Sequence, residues 1–563
     1  MRKSRNPAAL SRLVIITALN ADNSFQAVPL GAACIVSALN HDPSITRSAT
    51  IQLEAFSLDD PEIAAVSPEQ AGIIIAARLA KIAADSNIPP ASFAVGFSMY
   101  IWNRCILESA AAELKKLLPG IFTFVGGPEI TARKTILPSF DYCIRGEGEG
   151  ISQSLISSWI AGVPYVSGER TGPENLDSLA SPWLDGTLNL VTAVRDGKGA
   201  LWELSRGCPY SCAYCYESRG EKKVRSVPLE RLEKELAFFS QQGIERVFVL
   251  DPTYNASRER ALSLLYMIKK SAPDIYFNFE IRAELLDKKL VDAFSHIPCS
   301  LQIGLQSTNE AALALVNRPV NFKKFSSGVT LLNNAGVVFG FDLMYGLPGD
   351  NLKGFMKSVD YAIQLYPNNL EIFRLAVLPG TDLFERVELL ELSHDPRPPY
   401  LIRSTPSFSA KEIDAAERIA QAVNIFYTQG RAVSWFLSAL NPLKIRASRF
   451  FSEFSDFLVS EKVYSTDTIE HDKAEGLQLK FLEKKYRDSG KSFLFPALQD
   501  IVRLNGAWTR ALADGEETSL DLSWHPEDIF SSAALDLSQF VDCVCMEPCQ
   551  LRVVPGPDGP ELL

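Results

Sequence analysis

The chain has 563 residues, with 56 Lys and Arg against 67 Asp and Glu, a formal net charge of −11 and 47% hydrophobic residues. That length predicts roughly three or four domains, and that apolar fraction excludes general disorder. The acidic balance argues against nucleic acid as the main partner, because phosphate contact needs a basic footprint, and no apolar run approaches the ~20 residues of a membrane span.

The N-terminus is basic (Met1-Arg2-Lys3), and the apolar stretch Leu13–Leu19 that follows is only a strand's length. It reads as a first buried strand rather than a signal peptide. The expected location is therefore cytoplasmic, where the ten cysteines are ligands or core thiols rather than disulfides. Further strands are expected at Thr50–Phe56, Phe93–Phe97, Ile121–Val125 and Tyr142–Ile144, with helices at Pro68–Ala84 and Ile106–Leu118 between them. Such alternation implies a doubly wound parallel α/β sheet over residues 1–162, with its ligand crevice beyond the carboxyl ends of the strands.

Residues 163–198 are rich in Gly, Pro, Ser and acidic side chains and read as a linker. A second alternation occupies residues 199–395, with strands at Arg246–Leu250, Tyr276–Ile281, Leu301–Leu305, Phe339–Met344 and Leu370–Ala376. From residue 396 to the end the pattern is mainly helical, then mixed. The segment from Ala410 is amphipathic, with Ile413, Ala416, Ile419 and Ala420 on one face.

The strongest chemical signal is Ser205-Arg-Gly-Cys208-Pro-Tyr-Ser-Cys212-Ala-Tyr-Cys215. Three thiols in eight residues do not make a sensible set of disulfides, and a zinc site would want a fourth Cys or His nearby. A Cys-x3-Cys-x2-Cys loop can give three ligands to a [4Fe–4S] cube and leave one iron open. This spacing, with an aromatic before the last cysteine, resembles the radical S-adenosylmethionine (SAM) superfamily. Phe248-Val-Leu-Asp251, Phe279-Glu280-Ile-Arg282, Ile303-Gly304-Leu-Gln306-Ser307, Asn317-Arg318-Pro319, Phe341-Asp342 with Gly346-Leu-Pro348-Gly349, and Leu378-Pro379-Gly380 follow in the order of that family's motifs.

The resemblance implies a partial (β/α)6 barrel whose open iron holds SAM, reduced by a one-electron donor of flavodoxin or ferredoxin type. Glu280 and Arg282, which alternate with Ile281 on one strand face, become catalytic candidates at the barrel mouth. Gln306 and Ser307 become cofactor-binding candidates. The alternatives are a salt-bridged structural pair for Glu280 and Arg282 and barrel packing for Gln306 and Ser307.

Pro29-Leu-Gly31, Val95-Gly-Phe-Ser98, Val125-Gly126-Gly127-Pro128 and Arg145-Gly146-Glu147-Gly148-Glu149 resemble the cobalamin-binding domain fused to many radical SAM enzymes. Ser98, Gly126, Gly127, Gly146 and Glu147 are then expected at the cobalamin site, where a flat corrin needs backbone close by. The Asp-x-His-x-x-Gly motif that gives cobalt a lower histidine in many carriers is absent, and His41 does not fit it.

Cys34, Cys105 and Cys143 resemble the N-terminal cysteines of methylthiotransferases only in number, and core packing is expected for them. Cys543, Cys545 and Cys549 are either thiols of a small β-rich tail or ligands of an auxiliary site.

The expected activity is a cobalamin-dependent radical SAM C-methyltransferase, which passes methyl from SAM through methylcobalamin to a carbon of a small-molecule or peptide substrate. The alternatives are a methylthiotransferase with a second cluster, a non-methylating cobalamin-dependent enzyme, and an iron–sulfur or corrin-binding carrier.

Overall fold

The computed structural model describes residues 12–563 except 25, 133–136, 166–172, 189–198, 218–222, 464–468 and 558. Five parallel strands form the N-terminal sheet: β1 (Arg12–Asn20), β2 (Ala49–Ser57), β3 (Phe93–Ser98), β4 (Phe122–Gly126) and β5 (Tyr142–Cys143). Their order is β2-β1-β3-β4-β5, so the direction of winding reverses between β1 and β3, where the crevice of a doubly wound sheet opens. β1 is buried along almost its whole length because helices cover both faces of the sheet. The helix expected at Pro68–Ala84 runs over Pro68–Asp85 and starts on a Ser67–Gln70 capping box with Pro68 at its first position.

The expected linker is not loose where it is described. Leu176, Trp183 and Leu188 are buried in the core of the second unit. Trp183 packs edge-on against Phe239 at 5.2 Å and donates from Nε1 to the Leu201 carbonyl at 3.2 Å. Three large apolar side chains among Gly, Pro and Ser are enough to seat the segment; the remainder of the expected linker lies outside the described residues.

β6 (Gly199–Trp202) opens the second sheet, followed by a short antiparallel hairpin of β7 (Ser205–Arg206) and β8 (Arg225–Ser226). β9 (Arg246–Val249), β10 (Tyr276–Ile281), β11 (Cys299–Gln306), β12 (Val338–Tyr345) and β13 (Asn369–Arg374) then add in sequence. All neighbours are parallel, in the order β6-β9-β10-β11-β12-β13. This is the expected partial (β/α)6 barrel.

Along β11 buried and half-buried residues alternate. Leu301, Ile303 and Leu305 pack into the hydrophobic core, leaving Ser300, Gln302, Gly304 and Gln306 on the opposite, lumen-lining face. The Ala410–Val423 helix buries Ile413, Ala416 and Ile419 against the barrel core and the Ala447–Ser460 helix. A three-stranded antiparallel sheet of Thr518–Leu522, Cys549–Val554 and Glu561–Leu562 completes the C-terminal part.

Candidate functional site

The carboxyl edge of the first sheet and the carboxyl ends of β6 and β9 in the second face one shared cavity of about 950 Å³. From the first sheet it is lined by Ser98 at the end of β3, Gly126 at the end of β4, Gly127 and Gly146, together with Tyr100 and Trp102. From the second sheet come Leu201, Glu203, Arg206, Gly207, Tyr216 and Leu250. All five residues expected at a corrin site, Glu147 included, therefore line this cavity, because parallel strands deliver their C-terminal loops to the same edge.

Backbone geometry accounts for two of these glycines. Gly127 has φ +111°, and a Cβ there would lie 2.4 Å from the Met99 carbonyl oxygen. Gly146 has φ +81° with open space where its Cβ would stand. Tyr100 and Trp102 stack at 4.4 Å, and Trp102 Nε1 and Asn103 Nδ2 both donate to the Leu19 carbonyl at 3.0 Å, which ties the β3 loop to the end of β1. Ser152 also lines the cavity, and its buried Oγ has no hydrogen-bond partner among the described residues. A broad crevice with bare backbone, an aromatic pair and an unsatisfied hydroxyl suits a large, partly polar planar ligand.

Glu147 lines the cavity too, and its side chain is engaged within the protein. Its carboxylate is held by Arg225, accepts from the Glu174 N–H at 2.6 Å and lies 3.4 Å from Arg206 Nη1. Burial pushes its carboxyl up, but the Arg225 hydrogen bond, the Glu174 N–H and Arg206 outweigh that and hold it below the ordinary range. Glu147 joins the two units electrostatically at the cavity edge, a position visible only once the hairpin of β7 and β8 lies beside it.

Opposite stands the cysteine loop. Cys208 and Cys212 are buried and Cys215 is half-buried. The loop is pinned from several sides. The Ala213 N–H donates to the Val316 carbonyl at 2.8 Å, and the Leu383 N–H donates to the Ala213 carbonyl at 2.8 Å. Arg206, two residues before Cys208, donates to Glu203 at 2.9 Å and to Glu149 at 2.7 Å. No three His, Cys, Asp or Glu side chains among the described residues are grouped to hold a single metal ion. Three thiols on one loop could hold a polynuclear cube, in which each thiolate takes a different iron.

Glu280 on β10 faces the lumen, where solvent reaches it from inside the barrel. Burial, then Asp342 and Glu217, push its carboxyl up to about 7. Asp342 on β12 accepts from Gln302 and stands in register with Glu371 on β13, and burial raises both of these carboxyls. Arg282 does not pair with Glu280. It is buried, bonds Glu284 and the Pro319 carbonyl at 3.3 Å each, and lies 4.1 Å over the Tyr210 ring of the cysteine loop.

Gln306 ends β11 at φ +65°, with its amide beside Gly304. Ser307 does not line the mouth. It is fully buried and donates to Asp350 at 2.9 Å while accepting from the Asn309 N–H at 3.0 Å. Its hydroxyl is used in closing the loop after β11.

The other cysteines stay apart. Cys143 is buried against one face of the first sheet, Cys34 sits on the helix covering the opposite face, and Cys105 is exposed rather than packed in a core. Cys543 and Cys545 are exposed and Cys549 begins the second strand of the C-terminal sheet. No helix among the described residues is long and apolar enough to cross a membrane.

The sequence reading missed Arg206, Tyr100 and Asp342 as site residues. Arg206 and Asp342 stand inside motifs it quoted, but neither motif reveals which distant carboxylate or amide each would meet.

Residues 202–362 match the radical SAM superfamily. The chain is 24% identical over 417 residues to the cobalamin-dependent radical SAM methyltransferase TokK of Streptomyces tokunonensis, covering 67% of this chain and 60% of that protein. It is 25% identical over 371 residues to the 2-(S-pantetheinyl)-carbapenam-3-carboxylate methyltransferase of Streptantibioticus cattleyicolor, covering 59% and 53%. The chain thus spans somewhat over half the length of these relatives. A solved structure of OxsB, a cobalamin-dependent SAM radical enzyme with aqua-cobalamin and SAM bound, superimposes with a TM-score of 0.55 at 13% identity, over 85% of this chain and 80% of that one. Residues 202–362 accordingly belong to the radical SAM superfamily match, and over 85% of its length the chain shares the fold of OxsB.

Proposed function

We propose that this protein is a cobalamin-dependent radical SAM C-methyltransferase acting on a small-molecule or peptide natural product. One observation carries the reading: the crevice of the first sheet and the two flanks of the cysteine loop, Gly207 on one side and Tyr216 on the other, line a single cavity. A radical generator and a methyl carrier must act on one substrate carbon, so their sites have to share one chamber closed to water. When bound, the [4Fe–4S] cluster with SAM supplies a deoxyadenosyl radical, and the corrin supplies a methyl group.

In this reading residues 1–162 hold the corrin through the loops at Ser98, Gly126, Gly127 and Gly146. Residues 199–395 hold the cluster on Cys208, Cys212 and Cys215 and SAM near Gln306. Residues 396–563 close the barrel and select the substrate. Glu280, poised near neutrality in the lumen, is the residue suited to bind or release a proton beside the reacting carbon. Arg282 and Arg206 keep the cysteine loop in place. The methylthiotransferase alternative would need Cys34, Cys105 and Cys143 together, and they lie on different faces and at different depths. Electrons are taken from a one-electron donor of flavodoxin or ferredoxin type.

The test is anaerobic reconstitution with iron, sulfide and cobalamin, followed by reduction with SAM. Superimposed cluster and corrin absorption, with deoxyadenosine and S-adenosylhomocysteine formed in the presence of substrate, is the expected result. Iron and corrin binding with neither product would favour a carrier instead.

A further inference from the structure

Four consecutive residues after the Glu310–Leu315 helix each touch the cysteine loop or the side chain that covers it. The Val316 carbonyl accepts from Ala213 at 2.8 Å. Asn317 Nδ2 donates to the Ser211 carbonyl at 2.8 Å. Arg318 Nη1 donates to Cys212 Sγ at 3.7 Å. The Pro319 carbonyl accepts from Arg282, whose guanidinium covers Tyr210. Asn317 has φ +54°, a left-handed turn that breaks the helical progression at this point of the chain.

The aim of Arg318 is set by its other arm. Nη2 donates to the Gly304 carbonyl on β11, and a Cβ at Gly304 would come within 2.8 Å of that nitrogen. With one arm of the planar fork anchored on a strand, the other has little freedom and points at the sulfur. Among the described residues Nε is buried without a hydrogen-bond partner, so the guanidinium has hydrogen-bonding capacity that the protein itself does not use.

We propose that Arg318 sets the reduction potential of the cluster through its hydrogen bond to Cys212. The inference rests on the cluster reading given above. The step concerned is a one-electron reduction: the cluster gains an electron and one negative charge, the external donor loses that electron, and no bond or proton is exchanged. Cluster potentials respond to net charge and to hydrogen bonds on the sulfurs. A permanent cation donating to a thiolate stabilises the more negative, reduced state and raises the potential, which brings the cluster within reach of its donor. Arginine stays protonated throughout the usable pH range, so this contribution does not vary with pH. Arg318 acts through Cys212 and is a positioning residue, not a catalytic one.

The experiment compares the reconstituted full-length protein with Arg318→Met, Arg318→Gln and Arg318→Lys, all without SAM. Iron and sulfide content are measured first, then the midpoint potential by mediated titration followed by electron paramagnetic resonance. Arg318→Met is expected to keep its iron but to lower the reduced-to-oxidised ratio at the wild-type midpoint about tenfold, a shift of about 59 mV for one electron. Arg318→Lys, which keeps the charge, should recover part of that loss.

Full iron with an unmoved potential in Arg318→Met overturns the proposal, as does an equal shift in the Met and Lys variants. Should Arg318→Met fail to hold iron, the Lys and Gln variants decide: Lys nearer to wild type supports the proposal, and equality overturns it. A wild-type protein that takes up no iron would instead overturn the cluster reading beneath it, and the iron assay separates the two failures.

Discussion

Arg206 Nη2 donates to Glu149 Oε1 at 2.7 Å, joining the residue two positions before the first cysteine of the loop to the start of the helix after β5. Glu149 is buried, and the same guanidinium also serves Glu203 and approaches Glu147. Burial works against the charge on Arg206, but Glu203 and Glu149 more than offset it, so its pKa is raised and the group stays ionised. The two units are thus held together at the point where their candidate cofactor sites meet.

Replacing Arg206 by Met leaves the buried carboxylate of Glu149 without this cation and should cost about 3–5 kcal/mol. Glu149→Gln keeps an acceptor oxygen and should cost about 1–2 kcal/mol. Equilibrium unfolding in urea, with iron retention as a second readout, checks the order. Equal costs for the two variants would show that the charge is not what joins the units.

Glu280 predicts a pH dependence. Its folded pKa of about 7 lies above the ordinary value of 4.5, so between those values the folded state holds a proton that the unfolded chain has released. Its contribution to stability is therefore lost as pH rises through that window. Glu280→Gln should melt at a higher temperature than wild type at pH 8 and at the same temperature at pH 4. It should also lower turnover while leaving iron content unchanged. A melting difference that does not vary with pH would rule out this titration.

Gly127→Ala forces a side chain into backbone at a disallowed φ. The conformation alone costs about 1–3 kcal/mol, and the approach to Met99 adds to it. Gly146→Ala, with open space around it, should cost only about 1–2 kcal/mol. Denaturant midpoints of the two variants should fall in that order. Corrin uptake measured by absorption should suffer more in Gly127→Ala, because its loop must move out of the crevice wall.

Iron counting separates the cysteine groups. Reconstituted wild type should carry about four irons per chain, and alanine at Cys208, Cys212 and Cys215 together should abolish them. Serine at Cys543, Cys545 and Cys549, or at Cys34, Cys105 and Cys143, should leave the count unchanged. About eight irons in wild type would establish a second cluster and reverse that expectation.

Chain chemistry alone made the architecture legible and marked Cys208, Cys212 and Cys215 as candidate cluster ligands. Apolar runs such as Leu13-Val-Ile-Ile, the strand–helix alternation and three cysteines in eight residues are local patterns, and their meaning does not depend on what lies elsewhere. It also marked Ser98, Gly126, Gly127 and Gly146, because strand ends in a parallel sheet share an edge whatever the side chains are. Tertiary structure decided which polar groups serve as bridges and which remain available. Glu147 is engaged by Arg225 and Arg206, and Ser307 by Asp350. Arg206 finds Glu149 across 57 residues of sequence, and Arg318 finds Cys212 across 106. A hydrogen bond needs its partner within about 3 Å, somewhat more for sulfur, and over such separations only tertiary packing, between the units or within one, brings partners that close.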